Sequence, residues 1–200
     1  MKFYTFGKNL CKWLLKPFYR IKISFEEEFP ADRGFILACN HVSDLDPVVL
    51  GIACPRQVRY MAKSELFKIP VLGFLIRHLG AFPVARGKGD TGALDYAVQL
   101  VKEGGVLGIF PEGGRSKDGK FHKVKSGTVV VASQTHADIV PACIMYGKRR
   151  FFHRRPVEVK FGTVIQNARL GITDHNKTEL RAANALLGSR IAALLGVEAP

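Results

Sequence analysis

The chain has 200 residues, 47% of them hydrophobic, which is enough for one compact domain and excludes a disordered chain. Thirty Lys and Arg against 17 Asp and Glu give a formal net charge of +13, which favours an anionic partner: a membrane surface, a phosphorylated ligand or nucleic acid. The four cysteines are far apart, so neither a disulfide framework nor a zinc site is expected. With no run of roughly 20 apolar residues and no cleavable secretory pattern, we expect a chain that is neither secreted nor membrane-spanning.

The first 30 residues are typical of a segment that associates with membranes. On a helix, one face carries the apolar side chains Phe3, Phe6, Leu10, Trp13 and Leu14, and the opposite side carries Lys8, Lys12 and Lys16. No acidic residue occurs before Ser24, so this amphipathic helix suits the headgroup region of an anionic membrane. Pro17 predicts the end or a kink of the helix. The alternative is that the apolar stripe packs on the rest of the protein and the lysines are simply solvated.

The remaining residues, 31–200, alternate short apolar runs with stretches of helical periodicity, which predicts one α/β domain. We expect a mixed, largely parallel sheet covered by helices. The predicted strands are residues 35–39, 58–62, 81–84, 106–110, 139–144 and 157–161. The predicted helices are residues 90–103, 127–136 and 177–195. In open sheets of this class, ligands bind beyond the carboxyl ends of the strands, and the polar motifs of this chain follow such ends.

The first of these motifs follows the first predicted strand, where Asn40 and His41 precede Asp46 and Pro47. Proline favours the first turn of a helix, so one reading is that Asp44 or Asp46 caps a helix and that the histidine is structural. On a continuous helix His41 and Asp46 would point about 140° apart, so they meet only if the chain turns between them. If they meet, the carboxylate fixes the imidazole tautomer and leaves the other ring nitrogen free to accept a proton from a substrate hydroxyl.

A second polar turn follows residues 106–110 and contains Glu112, Gly113, Gly114 and Arg115. Adjacent glycines let a ligand approach the backbone, and an arginine can bind phosphate oxygens through two hydrogen bonds, so the loop is a candidate phosphate site. Its spacing matches neither a nucleotide P-loop nor a dinucleotide fingerprint. Arg86, just past the strand at 81–84, is a further candidate whose alternative is a solvated surface arginine.

The order of these motifs resembles that of the 1-acylglycerol-3-phosphate acyltransferase family of glycerolipid acyltransferases. The likeness spans about residues 35–145. It rests on four stretches: Asn40-His41-x4-Asp46, residues 80–86, Phe110-Pro111-Glu112-Gly113-Gly114-Arg115-Ser116 and Val140-Pro141-Ala142. Four ordered motifs are far more specific than any one of them.

The resemblance implies a role for each matching residue. His41 is the general base and Asp46 orients it. The glycerol phosphate of the acceptor is bound by Arg86 and by the third motif, with Glu112, Gly113 and Arg115. The fourth motif, with Pro141, is linked with acyl-donor binding or with the architecture of the site. The third motif departs from the family pattern because Gly114 stands where threonine is usual, which removes a hydroxyl that could bond a ligand or brace the loop and keeps another acceptor open as an alternative.

The function expected from the resemblance is transfer of a fatty acyl group to the 2-hydroxyl of 1-acyl-sn-glycerol 3-phosphate, giving phosphatidic acid. Acyl-CoA or acyl-carrier protein would be the co-substrate, with no metal and no bound cofactor. We expect a peripheral enzyme on the cytoplasmic face of the cell membrane, held by its anionic surface, with no nucleic acid as partner. Two alternatives stay open: a related acyltransferase with another acceptor, such as glycerol 3-phosphate or another lysophospholipid, and a non-catalytic basic module that binds membranes or nucleic acid.

Overall fold

A computed structural model describes residues 2–84, 91–149, 151, 153–174 and 176–200. Within these residues there are six α-helices, which are α1 Lys2–Leu15, α2 Asp46–Ala53, α3 Pro70–His78, α4 Thr91–Lys102, α5 Gly127–Thr135 and α6 Lys177–Leu195. The strands are β1 Tyr19–Phe25, β2 Phe35–Cys39, β3 Val58–Lys63, β4 Phe82–Val84, β5 Val106–Ile109, β6 Ile139–Tyr146 and β7 Arg155–Phe161. Short 3-10 helices span Ser64–Lys68 and Asn167–Leu170.

The strands form one seven-stranded sheet in the order β1-β7-β6-β2-β5-β3-β4. All neighbours pair in parallel except β6 and β7, which are antiparallel. The predicted mixed, largely parallel sheet is therefore confirmed. Because β2 to β6 all run in the same direction, their carboxyl ends meet at one edge. The first and third motifs follow the ends of β2 and β5, and the second motif contains β4.

Strand β1 was not predicted. It lies at the edge of the sheet and pairs with β7 along its whole length, from Tyr19 opposite Arg155 to Phe25 opposite Phe161. Apolar and polar residues alternate along it, as is usual for a strand buried on one face only. The sheet therefore begins inside the segment 1–30 that the sequence analysis set apart from the domain.

The sheet has an apolar layer on each face. One layer contains Ile36, Leu107, Val129 and Leu187 with helices α4, α5 and α6. The other contains Leu37, Leu50 and Phe161 with helix α2, and Leu15 of α1 packs against it. Strand β2 is fully buried because its side chains enter the two layers alternately.

Helix α1 ends at Leu15, just before the proline that predicted its end, and packs on α2. The face in contact is not the apolar stripe: Tyr4 donates a hydrogen bond to the carbonyl of Gly51, and Lys8 donates one to the carbonyl of Cys54. The stripe itself is exposed, with Phe6 62% and Trp13 69% accessible. The alternative that the stripe packs on the protein is therefore wrong. Membrane contact by α1 stays a prediction, and none of the helices in the described ranges is long and apolar enough to cross a bilayer.

Candidate active site

The loop after β2 is held to the sheet by Asn40, whose side chain is buried. Its amide nitrogen donates to the carbonyl of Ile144 over 3.1 Å, and its amide oxygen accepts from the N–H of Ile144 over 2.8 Å. Through these two bonds the Asn40 side chain pairs with the backbone of β6 in the way that the backbone of a neighbouring strand would. It fixes where the next residue, His41, leaves the sheet.

His41 and Asp46 meet beyond this point, because the chain turns at residues 44–45 before α2 begins. The Nδ1 atom of His41 lies 2.9 Å from Oδ2 of Asp46, a carboxylate that is completely buried. The same oxygen accepts hydrogen bonds from the N–H groups of Val42 and Ser43, each 2.7 Å long. These donors hold the carboxylate in place and stabilise its negative charge.

Neither aspartate caps α2, so the interpretation of this motif as a helix cap is wrong. Leu45 occupies the N-cap position and makes no side-chain capping bond. Asp46 directs its oxygens backward to the loop instead, where they accept from Val42, Ser43 and His41. The buried carboxylate thus orients the histidine rather than the helix.

The imidazole of His41 is stacked on the ring of Phe110, with 4.2 Å between the ring centroids. Only 12% of the histidine side chain is accessible. With Asp46 at Nδ1, the tautomer that carries its proton on Nδ1 is favoured, and Nε2 is left as a proton acceptor. Within the described ranges no hydrogen bond occupies Nε2. The arrangement suits a general base that deprotonates a substrate hydroxyl.

Glu112 lies beside this pair, and both of its carboxylate oxygens accept hydrogen bonds from backbone N–H groups. Its Oε1 accepts from the backbone N–H of His41 over 2.8 Å, and its Oε2 accepts from the N–H of His122 over 3.0 Å. Burial raises the pKa of the Glu112 carboxyl, and the two N–H donors act in the opposite direction. The side chain joins the loops that follow β2 and β5. The resemblance implied contact with the acceptor, whereas both carboxylate oxygens here bind backbone.

We expect Glu112→Gln to lower stability more than it lowers acceptor affinity. The amide group would present N–H to one of two backbone N–H groups, leaving a buried donor without an acceptor at a cost of about 2 kcal/mol. For a chain of this size that lowers Tm by roughly 4 to 8 °C, which thermal denaturation measures.

The matched control for this substitution is Glu28→Gln, since Glu28 is exposed and Tm should not change there. An unchanged Tm for Glu112→Gln, together with a raised KM for the acceptor, would contradict the bracing role and favour direct contact with the substrate.

The other residues of the third motif line the same loop. Gly113 has a positive φ of 75°, a backbone conformation in which a residue with a Cβ is strained, so glycine is favoured there. Arg115 forms an ion pair with the exposed Asp44 of the first motif. Because Ser116 N–H also donates to the carbonyl of His41 over 2.7 Å, the two loops are joined at several points. Arg86 lies outside the described residues.

A cleft of about 750 Å³, a volume usual for small-molecule sites, is lined in part by Asn40, Val42 and Ser43, the chain neighbours of His41. Its polar lining includes Ser43, Lys120, Tyr146 and Arg155. A second cleft, of about 660 Å³, is lined by residues 25–31, 55 and 56 and contains none of the predicted site residues. The first cleft does not contain the predicted site residues either, but it is the one next to the dyad, because Tyr146 in its lining contacts Asp46.

The cysteines near the site are poor nucleophiles. Cys39 directly precedes Asn40 and is fully buried, and this burial raises the pKa of its thiol well above the usual range. Burial also raises the pKa of Cys143, to about 11. Both thiols stay protonated near neutral pH, so direct attack by a substrate hydroxyl fits the site better than a cysteinyl intermediate.

A sequence model of the acyltransferase family matches residues 20–145, more than half of the chain. The chain belongs to the acyltransferase family. The matched region contains the His41–Asp46 pair and the loop of Glu112, and it also includes β1.

Named relatives agree with this membership. The acyltransferase is 36% identical over 140 residues to the 1-acyl-sn-glycerol-3-phosphate acyltransferase of Bacillus subtilis, covering 70% of this chain and 69% of that protein. It is 33% identical over 148 residues to a chloroplastic 1-acyl-sn-glycerol-3-phosphate acyltransferase of Arabidopsis thaliana, covering 72% of this chain but 41% of the plant protein. The crystal structure of the 1-acyl-sn-glycerophosphate acyltransferase PlsC from Thermotoga maritima superposes with a TM-score of 0.70 at 26% identity, over 98% of this chain and 78% of that one.

Sequence reasoning about this acyltransferase missed one polar contact at the dyad. The hydroxyl of Tyr146 donates to Oδ1 of Asp46 over 2.8 Å, although the two residues are 100 positions apart. Tyr146 is the last residue of β6, and its position in the chain gave no signal of a role. Only the pairing of β6 with β2 brings it next to the first motif.

Proposed function

We propose that this chain transfers a fatty acyl group to the 2-hydroxyl of 1-acyl-sn-glycerol 3-phosphate, giving phosphatidic acid. The observation that carries the proposal is the contact between His41 and the buried Asp46 at the sheet edge where ligands bind. The identity of the proposed acceptor is based on the named relatives, which are 1-acyl-sn-glycerol-3-phosphate acyltransferases.

In the proposed reaction, Nε2 of His41 accepts the proton of the acceptor's 2-hydroxyl while the oxygen attacks the carbonyl carbon of the acyl thioester. The C–O bond forms, the C–S bond breaks, and the imidazolium returns its proton to the leaving sulfur. Asp46 accepts the hydrogen bond from Nδ1 and stabilises the imidazolium. Base catalysis of this kind contributes roughly 100- to 10,000-fold to the rate.

Binding of the acceptor phosphate is proposed for Arg115, with Arg86 as a second cation and Gly113 giving access to the backbone. The guanidinium of Arg115 is half exposed and pairs with Asp44, which the phosphate would replace. Because the Arg115 loop is hydrogen-bonded to His41, phosphate bound there places the acceptor at a fixed distance from the base.

Acyl-CoA or acyl-carrier protein is proposed as the acyl donor, and the reaction is proposed to need neither a metal ion nor a bound cofactor. A thioester is already an activated acyl group, so a positioned base and a bound acceptor are sufficient for its transfer. Chelators should therefore leave the rate unchanged.

The place of action is proposed to be the cytoplasmic face of the cell membrane, with the protein bound peripherally. The exposed apolar stripe of α1 and the absence of acidic residues before Ser24 support contact with an anionic bilayer. A net charge of +13 suits such a surface, and nucleic acid is not required as a partner.

The test is product formation with a panel of acceptors: lysophosphatidate, lysophosphatidylcholine, lysophosphatidylglycerol and glycerol 3-phosphate, each with acyl-CoA and with acyl-carrier protein. We expect phosphatidate from lysophosphatidate, and no comparable product from the others. Gly114 keeps a different acceptor as the second candidate, which preferential acylation of another panel member would support. No product from any pair, with vesicle binding retained, would point to the non-catalytic module.

A further inference from the structure

The segment that follows β3 exposes an unusual amount of apolar surface. Gly73 is the only buried residue of helix α3, which occupies Pro70–His78. The exposed apolar side chains here are Leu66 at 36%, Ile69 at 48%, Val71 at 74%, Leu72 at 38%, Phe74 at 56% and Leu75 at 43%. A helix with this composition is normally buried in a core, so this one lacks the environment that its sequence suits.

This surface is continuous with the exposed stripe of α1. The ring of Phe3 lies 5.3 Å from that of His78 at the end of α3. A Cβ at Gly7 would stand 2.8 Å from a methyl group of Leu79, so the Leu79 side chain packs on the α1 backbone at Gly7. Together, α1 and residues 64–79 make one apolar surface, which we call the lipid-facing surface.

The charges around the lipid-facing surface are almost all positive. Between residues 63 and 79, Glu65 is the only acidic residue, while Lys63 and Lys68 are both exposed. Lys12 on α1 and Lys16 directly after it are also exposed, and no acidic residue occurs in that helix. Apolar side chains bordered by ammonium groups are complementary to the acyl region and the phosphates of an anionic bilayer.

We propose that residues 64–79 and α1 together bind the headgroup region of an anionic bilayer as one surface. This adds a second element, α3, to the contact proposed for α1 alone, and it rests on the proposed function in that the acceptor and the product are membrane lipids. A segment that begins directly after β3 starts at the sheet edge that carries His41. Binding through both helices therefore keeps that edge next to the lipid phase.

The experiment measures binding of the full chain to vesicles containing phosphatidylglycerol or only phosphatidylcholine, with Val71→Asp as the variant. Val197→Asp is the matched control, since Val197 is also an exposed valine, 52% accessible, but lies outside the lipid-facing surface. We expect Val71→Asp to lower the partition coefficient on phosphatidylglycerol vesicles by about tenfold or more, and Val197→Asp to leave it unchanged.

Activity on detergent-dispersed acceptor separates this inference from the proposed function. Val71→Asp should keep the wild-type rate in detergent and lose rate on vesicles. Wild-type vesicle binding by Val71→Asp would overturn the role of α3. The role of α3 would also be overturned if light scattering showed that the wild type is a dimer and that Val71→Asp is a monomer. The surface would then bind a second copy of the chain. Absence of activity in detergent for every variant, with vesicle binding behaving as expected, would contradict the reaction and leave the surface intact.

A separate observation concerns Tyr146, whose hydroxyl donates to Oδ1 of Asp46 over 2.8 Å. The other carboxylate oxygen already accepts from His41, Val42 and Ser43. The tyrosine ring is itself held, because the Arg155 guanidinium lies 5.1 Å above it and the ring of Tyr19 meets it edge-on. Burial and the neighbouring carboxylate raise the pKa of Tyr146, so its hydroxyl stays a donor.

We propose that Tyr146 is a positioning residue that acts on His41 through Asp46. Its bond disperses charge on the carboxylate and fixes the rotation of the carboxylate about its last torsion. Groups that face the dyad from other elements are Glu112 after β5, Cys39 at the end of β2 and Tyr60 on β3. Burial raises the pKa of the Cys39 thiol and of the Tyr60 hydroxyl, so both stay neutral near neutral pH, and the carboxylates hydrogen-bonded to His41 are those of Asp46 and Glu112.

The test compares Tyr146→Phe with Tyr19→Phe, which removes a neighbouring hydroxyl that does not touch Asp46. We expect Tyr146→Phe to lower kcat about tenfold, less than the roughly hundredfold that an ångström of misplacement can cost, with KM for the acceptor unchanged. Without the tyrosine bond the charge of Asp46 is less dispersed and holds the imidazolium more tightly, so the acidic limb of the pH–rate profile should move to higher pH.

Tyr19→Phe should match the wild type in kcat and in its pH profile. A loss confined to KM in Tyr146→Phe, or a lower Tm with an unmoved pH profile, would overturn the positioning role and leave Tyr146 as a packing or binding residue.

Discussion

Replacing His41 by alanine is expected to lower kcat about a thousandfold while the protein stays folded and still binds vesicles. The reason is that the imidazole Nε2 is the proton acceptor of the proposed reaction, and general bases contribute roughly 100- to 10,000-fold. The ring is held by Asp46 and stacked on Phe110, so its loss removes a positioned base and not only a basic group. Initial rates with lysophosphatidate and either donor measure the effect.

The chain contains its own control for this experiment. His122 forms a second histidine–aspartate pair with Asp118, with 2.8 Å between Nε2 and Oδ1, but both side chains are about half exposed. The backbone N–H of His122 binds Glu112 and would survive the substitution, so His122→Ala should keep activity within a few-fold of wild type. A thousandfold loss in His122→Ala with full activity in His41→Ala would transfer the role of base to the exposed pair.

Asp46→Asn is expected to lower kcat roughly 100- to 1,000-fold, and by no more than the loss in His41→Ala, because the aspartate acts only through the histidine. The amide oxygen cannot accept all the bonds that Oδ1 and Oδ2 receive from Tyr146, Val42, Ser43 and His41. An amide group turned toward the imidazole would also favour the wrong tautomer. Kinetics over a range of pH, with His41→Ala as the reference, measure this effect.

The Tm of Asp46→Asn is a second measurement of the role of this carboxylate. Because the carboxylate is completely buried, leaving even one backbone N–H unpaired costs about 1 to 3 kcal/mol, so Tm should fall as well. If activity fell further than in His41→Ala while Tm held, Asp46 would have a role of its own in the chemistry. If neither changed, the hydrogen bonds to Val42 and Ser43 would not be important in solution.

The fold was predictable where local sequence determines burial. Strand β2 is apolar throughout and its bounds, Phe35–Cys39, match the predicted residues 35–39; helix α6 likewise matches 177–195. Strand β1 was missed because alternation with Arg20 and Lys22 at a sheet edge resembles the basic segment before it. Its assignment depends on pairing with β7, more than a hundred residues later, which no local pattern contains.

The site shows the same division between local and distant information. That His41 and Asp46 could meet across a turn followed from their spacing, and the turn at residues 44–45 is present. The inward direction of the Glu112 carboxylate was not predictable, because its two partners are N–H groups that any residue at those positions would offer. The contact of Tyr146 with Asp46 depends on the register of β6 against β2, so the sequence alone did not indicate it.

In the third motif, Gly114 can be replaced by a residue with a side chain more easily than Gly113 can. A Cβ built there meets no atom within 4 Å and its φ is not positive, whereas the positive φ of Gly113 strains any residue other than glycine. A side chain at position 114 would therefore enter open space beside Arg115 without moving His41. If Arg115 binds the acceptor phosphate as proposed, a substitution at this one position changes the surroundings of the acceptor while the base and its partners stay unchanged. A library built to change substrate range should likewise vary Gly114 first and keep Glu112 and Gly113 fixed.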